Sequence, residues 1–155
     1  MMNDDMYYMN EALEEAKKAF DIKEVPIGCI IVYKDQVIGR GYNMRNTKKS
    51  TLAHAELLAI AEASEFLKDW RLEECEMYIT LEPCPMCAGA IVQARIPKVI
   101  IGANNLKSGS AGSIINILGI EQFNHQVDIV KGVLEEECSD LLREFFKELR
   151  KNKTR

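Results

Sequence analysis

No run in this chain approaches the ~20 consecutive apolar residues that a bilayer span requires. The opening residues, Met1 to Met6, carry Asp4 and Asp5 where a secretory leader would be basic. Neither a membrane protein nor a secreted one is expected, and a cytoplasmic one is. Cysteines are few and odd in number: of the five, Cys29, Cys75 and Cys138 stand alone inside apolar or helical patterns, which argues against a disulfide framework and marks them as buried core thiols. Internal repeats, linkers and low-complexity tracts are lacking, so residues 1–155 read as a single domain, long enough to close a core without staples. Excess positive charge is lacking too, with a formal net charge of -4. That deficit is local, because residues 1–24 hold seven acids and three bases and the remainder is neutral overall. The last segment, Arg143 to Arg155, holds six bases against two acids, which leaves room for a basic footprint suited to nucleic acid.

What is present is ordered by periodicity. Met6, Met9, Leu13, Ala16 and Phe20 recur at helical spacing and predict a first helix over residues 4–21. Val25 to Tyr33 is an almost unbroken apolar, β-branched run, as in a strand buried on both faces. A turn at residues 34–36 leads into a second strand, Val37 to Tyr42, and the polar stretch Asn43 to Thr51 reads as a loop. A helix follows over Ala53 to Leu67, with Ser50 or Thr51 as its cap, and then a strand over Met77 to Leu81. Pro85 suits a first helical turn, because its missing amide would have had no partner there, and this helix runs to about Arg95. A short strand at Val99 to Ile101, a polar loop over residues 103–113, a strand at Val127 to Lys131 and an amphipathic helix from Leu134 to Leu149 complete the chain. Alternating strands and helices predict an α/β fold, a three-layer α/β/α sandwich around a five-stranded, mostly parallel mixed sheet opened by one antiparallel hairpin.

Chemistry concentrates at the starts of two helices. His54 opens one, and Cys84 and Cys87 open the other, three residues apart, so that their sulfurs face the same way and one metal can take both. A helix N-terminus favours the thiolates that zinc needs. Two cysteines and one histidine supply three ligands and leave a fourth tetrahedral position for water, the pattern of catalytic zinc, which brings the acidity of that water to a pKa of about 7. Glu56, two residues after His54, points away on a regular helix, but from the first turn it flanks the water as a proton shuttle while His54 reaches back to the metal. The Cys84–Cys87 pair taken alone fits a thioredoxin-like redox couple equally well. A closed structural site would need His125 too, which sits in a polar loop as a solvated residue would. The ordered combination Ala53-His54-Ala55-Glu56 and Pro83-Cys84-Pro85-Met86-Cys87 is the His-x-Glu, Pro-Cys-x-x-Cys signature established for zinc nucleobase deaminases.

Around that signature stand Glu24-Val25-Pro26-Ile27-Gly28, Trp70-Arg71-Leu72, residues 80–91 from Thr80 to Ile91, Lys107 to Ser113, and Cys138 to Phe146. With these segments the sequence resembles, over nearly its whole length, the bacterial tRNA-specific adenosine deaminases of the cytidine deaminase-like superfamily. The resemblance implies one zinc ion per subunit, held by His54, Cys84 and Cys87, with Glu56 as general acid and base. It implies that Asn43 hydrogen-bonds the base, that the backbone amide of Ala55 lies beside the reacting centre, and that Pro26, Ile27, Asn105, Lys107 and Phe146 contact substrate. It further implies a homodimer that turns the wobble adenosine in the anticodon stem-loop of an arginine tRNA into inosine and ammonia, with Lys147, Arg150, Lys151, Lys153 and Arg155 available to phosphates. Helical spacing predicts that at least one of Phe145 and Phe146 packs in the core. At Asn105 the family usually carries an acid, so the resemblance implies weaker discrimination of RNA from DNA than the family norm. A free guanine or cytosine deaminase of the same fold and a non-catalytic zinc-containing RNA-binding module are the rival readings.

Overall fold

The computed structural model describes residues 4–153, so Met1 to Asn3 and the basic Arg155 lie outside the described residues, as does the side chain of Lys153. Helix α1 spans Asp5–Asp21, and its first turn is capped by the Asp4 carboxylate, which accepts from the Tyr7 amide at 2.9 Å. Strands β1 (Gly28–Tyr33) and β2 (Gln36–Tyr42) form the hairpin, followed by a short helix α2 (Arg45–Lys48) and by α3 (Ala55–Leu67). Then come β3 (Cys75–Leu81), α4 (Pro85–Gln93), β4 (Lys98–Ala103), one 3₁₀ turn at Ile117–Gly119, β5 (Asp128–Lys131) and α5 (Glu135–Lys153).

The five strands make one mixed sheet in the order β2-β1-β3-β4-β5. Its β3–β4 and β4–β5 pairings are parallel, while β1 runs antiparallel to both β2 and β3. The sheet is therefore half antiparallel, a correction to the mostly parallel arrangement read from the alternation of elements. The cause is that the chain leaves β2, crosses through α3 and re-enters the sheet beyond β1, so β2 and β3 share a direction with β1 wedged between them. A second correction concerns the start of β1. Val25 to Ile27 is as apolar as the strand, yet the Ile27 amide turns back onto the Val25 carbonyl at 2.9 Å, and the ladder begins only at Gly28.

Alternation along the strands sorts the core into two layers. Cys29, Ile31, Met77, Ile79, Val99 and Ile101 face α3 and α4, where Ala55, Ala59, Ala63, Ala88 and Ile91 meet them. Ile30, Val32, Tyr78 and Ile100 face the other way, onto Tyr8, Met9 and Leu13 of α1 and Cys138 of α5. At ~1.5–3 kcal/mol for each large apolar side chain buried, these layers dominate the favourable side of folding. Cys29, Cys75 and Cys138 are buried thiols within them, as their apolar settings foretold. The layer below α3 is unusually thin at Gly41 in β2, where a Cβ would come 2.2 Å from the Ala55 carbonyl oxygen. Among the described residues no helix is long and apolar enough to cross a membrane.

Candidate active site

The first turns of α3 and α4 meet above the sheet, at the end where β3 gives out. Neither helix carries an ordinary polar cap. His54 occupies the cap position of α3 and Cys84 that of α4, each with extended backbone and no side-chain hydrogen bond to the helix, which replaces Ser50 or Thr51 as the expected cap. Both side chains are thus free to turn toward a common point. The His54 Nδ1 lies 3.7 Å from the Cys84 Sγ and 3.4 Å from the Cys87 Sγ. All three ligand atoms lie within 4.8 Å of one another. A tetrahedral zinc with ordinary Zn–S and Zn–N bonds has ligand-to-ligand edges of about 3.5–3.8 Å, so the donor set fits zinc in both chemistry and spacing.

Electrostatics at this point follow from burial and from the helix ends. The Cys87 thiol donates to Cys84 and pulls the Cys84 thiol down to about 5 against the opposing effect of burial, and the backbone amides of Cys87 and Met86 and the His54 ring add to it. Cys87 is raised correspondingly, first by that hydrogen bond, then by burial and by the nearby Glu56. Glu56, on the first turn of α3 and only 4% exposed, is pushed up to about 7, chiefly by burial. Its own amide and the Cys87 thiol pull the other way. A carboxyl balanced near neutrality can both take and return a proton at working pH.

These groups form the floor of an open cleft of about 450 Å³. Val25, Ile27, Asn43 and Arg45 make one wall, and Glu82 with the segment Asn104 to Ser108 makes the other. Leu142 and Phe146 of α5 stand at the rim. Of the residues singled out from sequence, His54, Ala55, Glu56, Cys84, Asn43, Ile27, Asn105, Lys107 and Phe146 line this one cleft, while Cys87 is fully buried beneath it. Pro26 is buried behind the wall and does not line it. Phe145 is 8% exposed and packs edge-on against Phe20, whereas Phe146 is 39% exposed, so one ring serves the core and the other the rim. His125 holds the Ile96 carbonyl at 2.8 Å, away from the metal group.

Two buried acids were missed by sequence reasoning. Glu24 accepts from the Thr47 amide at 2.6 Å through Oε2, while its Oε1 is buried without a hydrogen-bond partner. Together with the Asn43 Oδ1, which accepts from the Arg45 amide at 3.1 Å, it satisfies the first turn of α2, the short helix that replaces part of the expected loop. Asn43 is in turn steadied by donating to the Val25 carbonyl at 3.3 Å, which leaves one amide hydrogen and one lone pair of its side chain for another partner. Glu82 holds the opposite wall through the Asn105, Ala111 and Ser113 amides. Burial raises its carboxyl, but those amides and the Ser113 hydroxyl outweigh it and hold the group below the usual carboxylate range. The one available signal was that both acids stand next to the Pro-containing motifs, at Glu24-Val25-Pro26 and Glu82-Pro83.

Residues 2–150 match the family model of the MafB19-like deaminases. The chain is 52% identical to the tRNA-specific adenosine deaminase of Bacillus subtilis over 152 residues, covering 98% of this chain and 94% of that one. It is 43% identical to the tRNA-specific adenosine deaminase of Streptococcus pyogenes serotype M18, covering 98% and 96%. A solved structure from a study of A-to-I editing by tRNA:A34 deaminases superimposes with a TM-score of 0.83 at 37% identity, covering 87% of this chain and 98% of the other. A guanine deaminase from Nitrosomonas europaea shares the fold, with a TM-score of 0.80 at 21% identity. A His, Cys, Cys cluster flanked by a buried carboxyl, in a chain that matches such relatives over nearly all of its length, places it in the MafB19-like deaminase family and, within that family, among the tRNA-specific adenosine deaminases.

Proposed function

We propose that this protein hydrolyses the exocyclic amine of the wobble adenosine in a tRNA, an arginine tRNA in the first instance, leaving inosine in the chain and releasing ammonia. The reading extends to a single domain that binds one zinc ion per subunit, works in the cytoplasm and pairs as a homodimer. The observation that carries it is the placement of Glu56 on the floor of a cleft directly beside His54, Cys84 and Cys87.

Zinc, when bound by these three ligands, supplies a Lewis acid that raises the acidity of water at the fourth position. Everything else falls to the chain. Glu56 takes the proton of the attacking water and hands protons first to N1 of the adenine and then to the departing amine, a role that its place on the cleft floor beside the three ligands suits. Asn43 offers its remaining donor and acceptor to the base edge, and the Ala55 amide, at the start of α3, faces the reacting carbon. The adenosine must leave its stack to reach the floor, at a cost of a few kcal/mol that an anticodon loop keeps low. Lys107, Asn105 and Phe146 then border the path of the flanking nucleotides.

Zinc-quantified protein incubated with unmodified arginine tRNA should yield inosine on nucleoside analysis. Turnover of free guanine or cytosine with no inosine in the tRNA would make it a free-base deaminase. RNA binding with no ammonia released from any substrate would make it a binding module.

A further inference from the structure

Glu82 lies just past β3, at the lip of the cleft, and its side chain has 0% exposure. Its Oε2 accepts from the amides of Ala111 at 2.9 Å and Ser113 at 3.0 Å. Its Oε1 accepts from the Asn105 amide at 3.1 Å and from the Ser113 hydroxyl, and the Lys131 ammonium stands 4.0 Å away. These donors come from both ends of the loop that carries Asn105, Leu106 and Lys107 into the cleft. The loop wraps so tightly that a Cβ on Gly109 would sit 2.7 Å from the Glu82 carboxyl and 2.3 Å from the Asn105 carbonyl oxygen. The Ser110 amide closes the wrap onto the Pro83 carbonyl at 2.9 Å. Pro83 immediately precedes Cys84, so one short segment carries both a metal ligand and the hub of the wall.

We propose that Glu82 is a positioning residue for substrate, which acts through the backbone of residues 105–113 to hold the nucleotide-binding wall at a fixed distance from the metal group. The inference rests on the RNA reading given above. A carboxylate is required because its two oxygens face only donors. Glutamine, nearly the same shape, would turn an NH2 group toward amides that need an acceptor. Its carboxylate oxygens are engaged by the loop amides, the Ser113 hydroxyl and Lys131, so its loss should weaken the grip on RNA and spare the chemical step.

Glu82→Gln, loaded with stoichiometric zinc, is expected to raise KM for an anticodon stem-loop by about tenfold while kcat stays within about threefold of the wild type. Amide hydrogen exchange at Asn105, Ala111 and Ser113 should accelerate in the same variant, with the β1, β3 and β4 amides unchanged. Ser113→Ala, which deletes one donor at the exposed end of the loop, is expected to raise KM by about two- to threefold, and it carries the test should Glu82→Gln fold poorly. Unchanged KM and unchanged loop exchange in these variants would overturn the proposal. So would an activity loss that simply tracks zinc content, since Glu82 would then support the metal group and not the wall. Should the wild-type protein leave RNA unmodified, the functional reading falls, and the exchange measurement together with RNA affinity decides this inference alone.

Discussion

The floor of the cleft and its two walls are built on opposite plans. The floor comes from the ends of two core-packed helices, with His54 and Cys84 as their caps and Cys87 fully buried one turn on. The walls are irregular backbone, and each is pinned by a single buried acid reaching across the sequence, Glu24 on one side and Glu82 on the other. The walls also differ from each other. Glu82 has both oxygens occupied by donors, whereas Glu24 leaves Oε1 without a partner. On the proposed function, chemistry is thus anchored to the core, and recognition hangs on side chain to backbone contacts, one set complete and the other partial.

That contrast can be broken at the floor first. Glu56→Ala should retain zinc and fold but lose deamination by at least about 10³-fold, read as inosine formed per zinc-loaded subunit. Retained activity would remove Glu56 from proton transfer. Cys87→Ala should abolish stoichiometric zinc, read by elemental analysis, and with it nearly all activity. Chelation of the wild-type protein should mimic it and lower Tm, because metal binding free energy is drawn from the folded state.

Effects at the walls should be smaller and should fall mainly on substrate handling. Asn43→Ala removes the remaining donor and acceptor beside the floor and is expected to lower kcat/KM by about 10–100-fold, equivalent to ~1.4–2.7 kcal/mol of lost transition-state stabilisation. Zinc content should not move. The least effect is expected from Glu24→Gln, where the amide oxygen can still accept from Thr47 and the NH2 takes the place of an oxygen that had no partner. Thermal unfolding should shift by less than about 1 kcal/mol of stability, and KM should stay within about threefold, against the larger change expected at Glu82. Equal losses at the two acids would erase the distinction between the walls.

The floor was legible in the sequence because its logic is local. His54-Ala55-Glu56 and Cys84-Pro85-Met86-Cys87 declare their geometry through spacing on a first helical turn, and Pro85 declares where that turn begins. The burial of β1 on both faces was legible as well, because Cys29 to Val32 is apolar throughout, and the two core layers do claim alternate residues of it. The walls were not. Glu82 finds its donors 23 to 31 residues away, and Glu24 meets Thr47 23 residues on, across an intervening hairpin. No periodicity records such a pairing. The short helix α2 was missed because its first-turn amides are satisfied by Asn43 and Glu24 from outside the segment. The pairing of β3 with β1, and not with β2, was missed because it is set by which side of the hairpin the crossover re-enters, a property of the whole sheet.

Gly41 has a consequence for the enzyme that its distance from any reacting atom conceals. With 2.2 Å between a would-be Cβ and the Ala55 carbonyl oxygen, β2 works as a shim ground to zero thickness beneath the leading end of α3. The height at which His54 and Glu56 sit above the sheet is therefore gauged by an absent methyl group. Growth of the side chain at this one position would jack up the imidazole and the carboxylate together while the thiols of α4 stayed put, and the alignment that the proposed chemistry needs would be lost with all four groups still in the sequence.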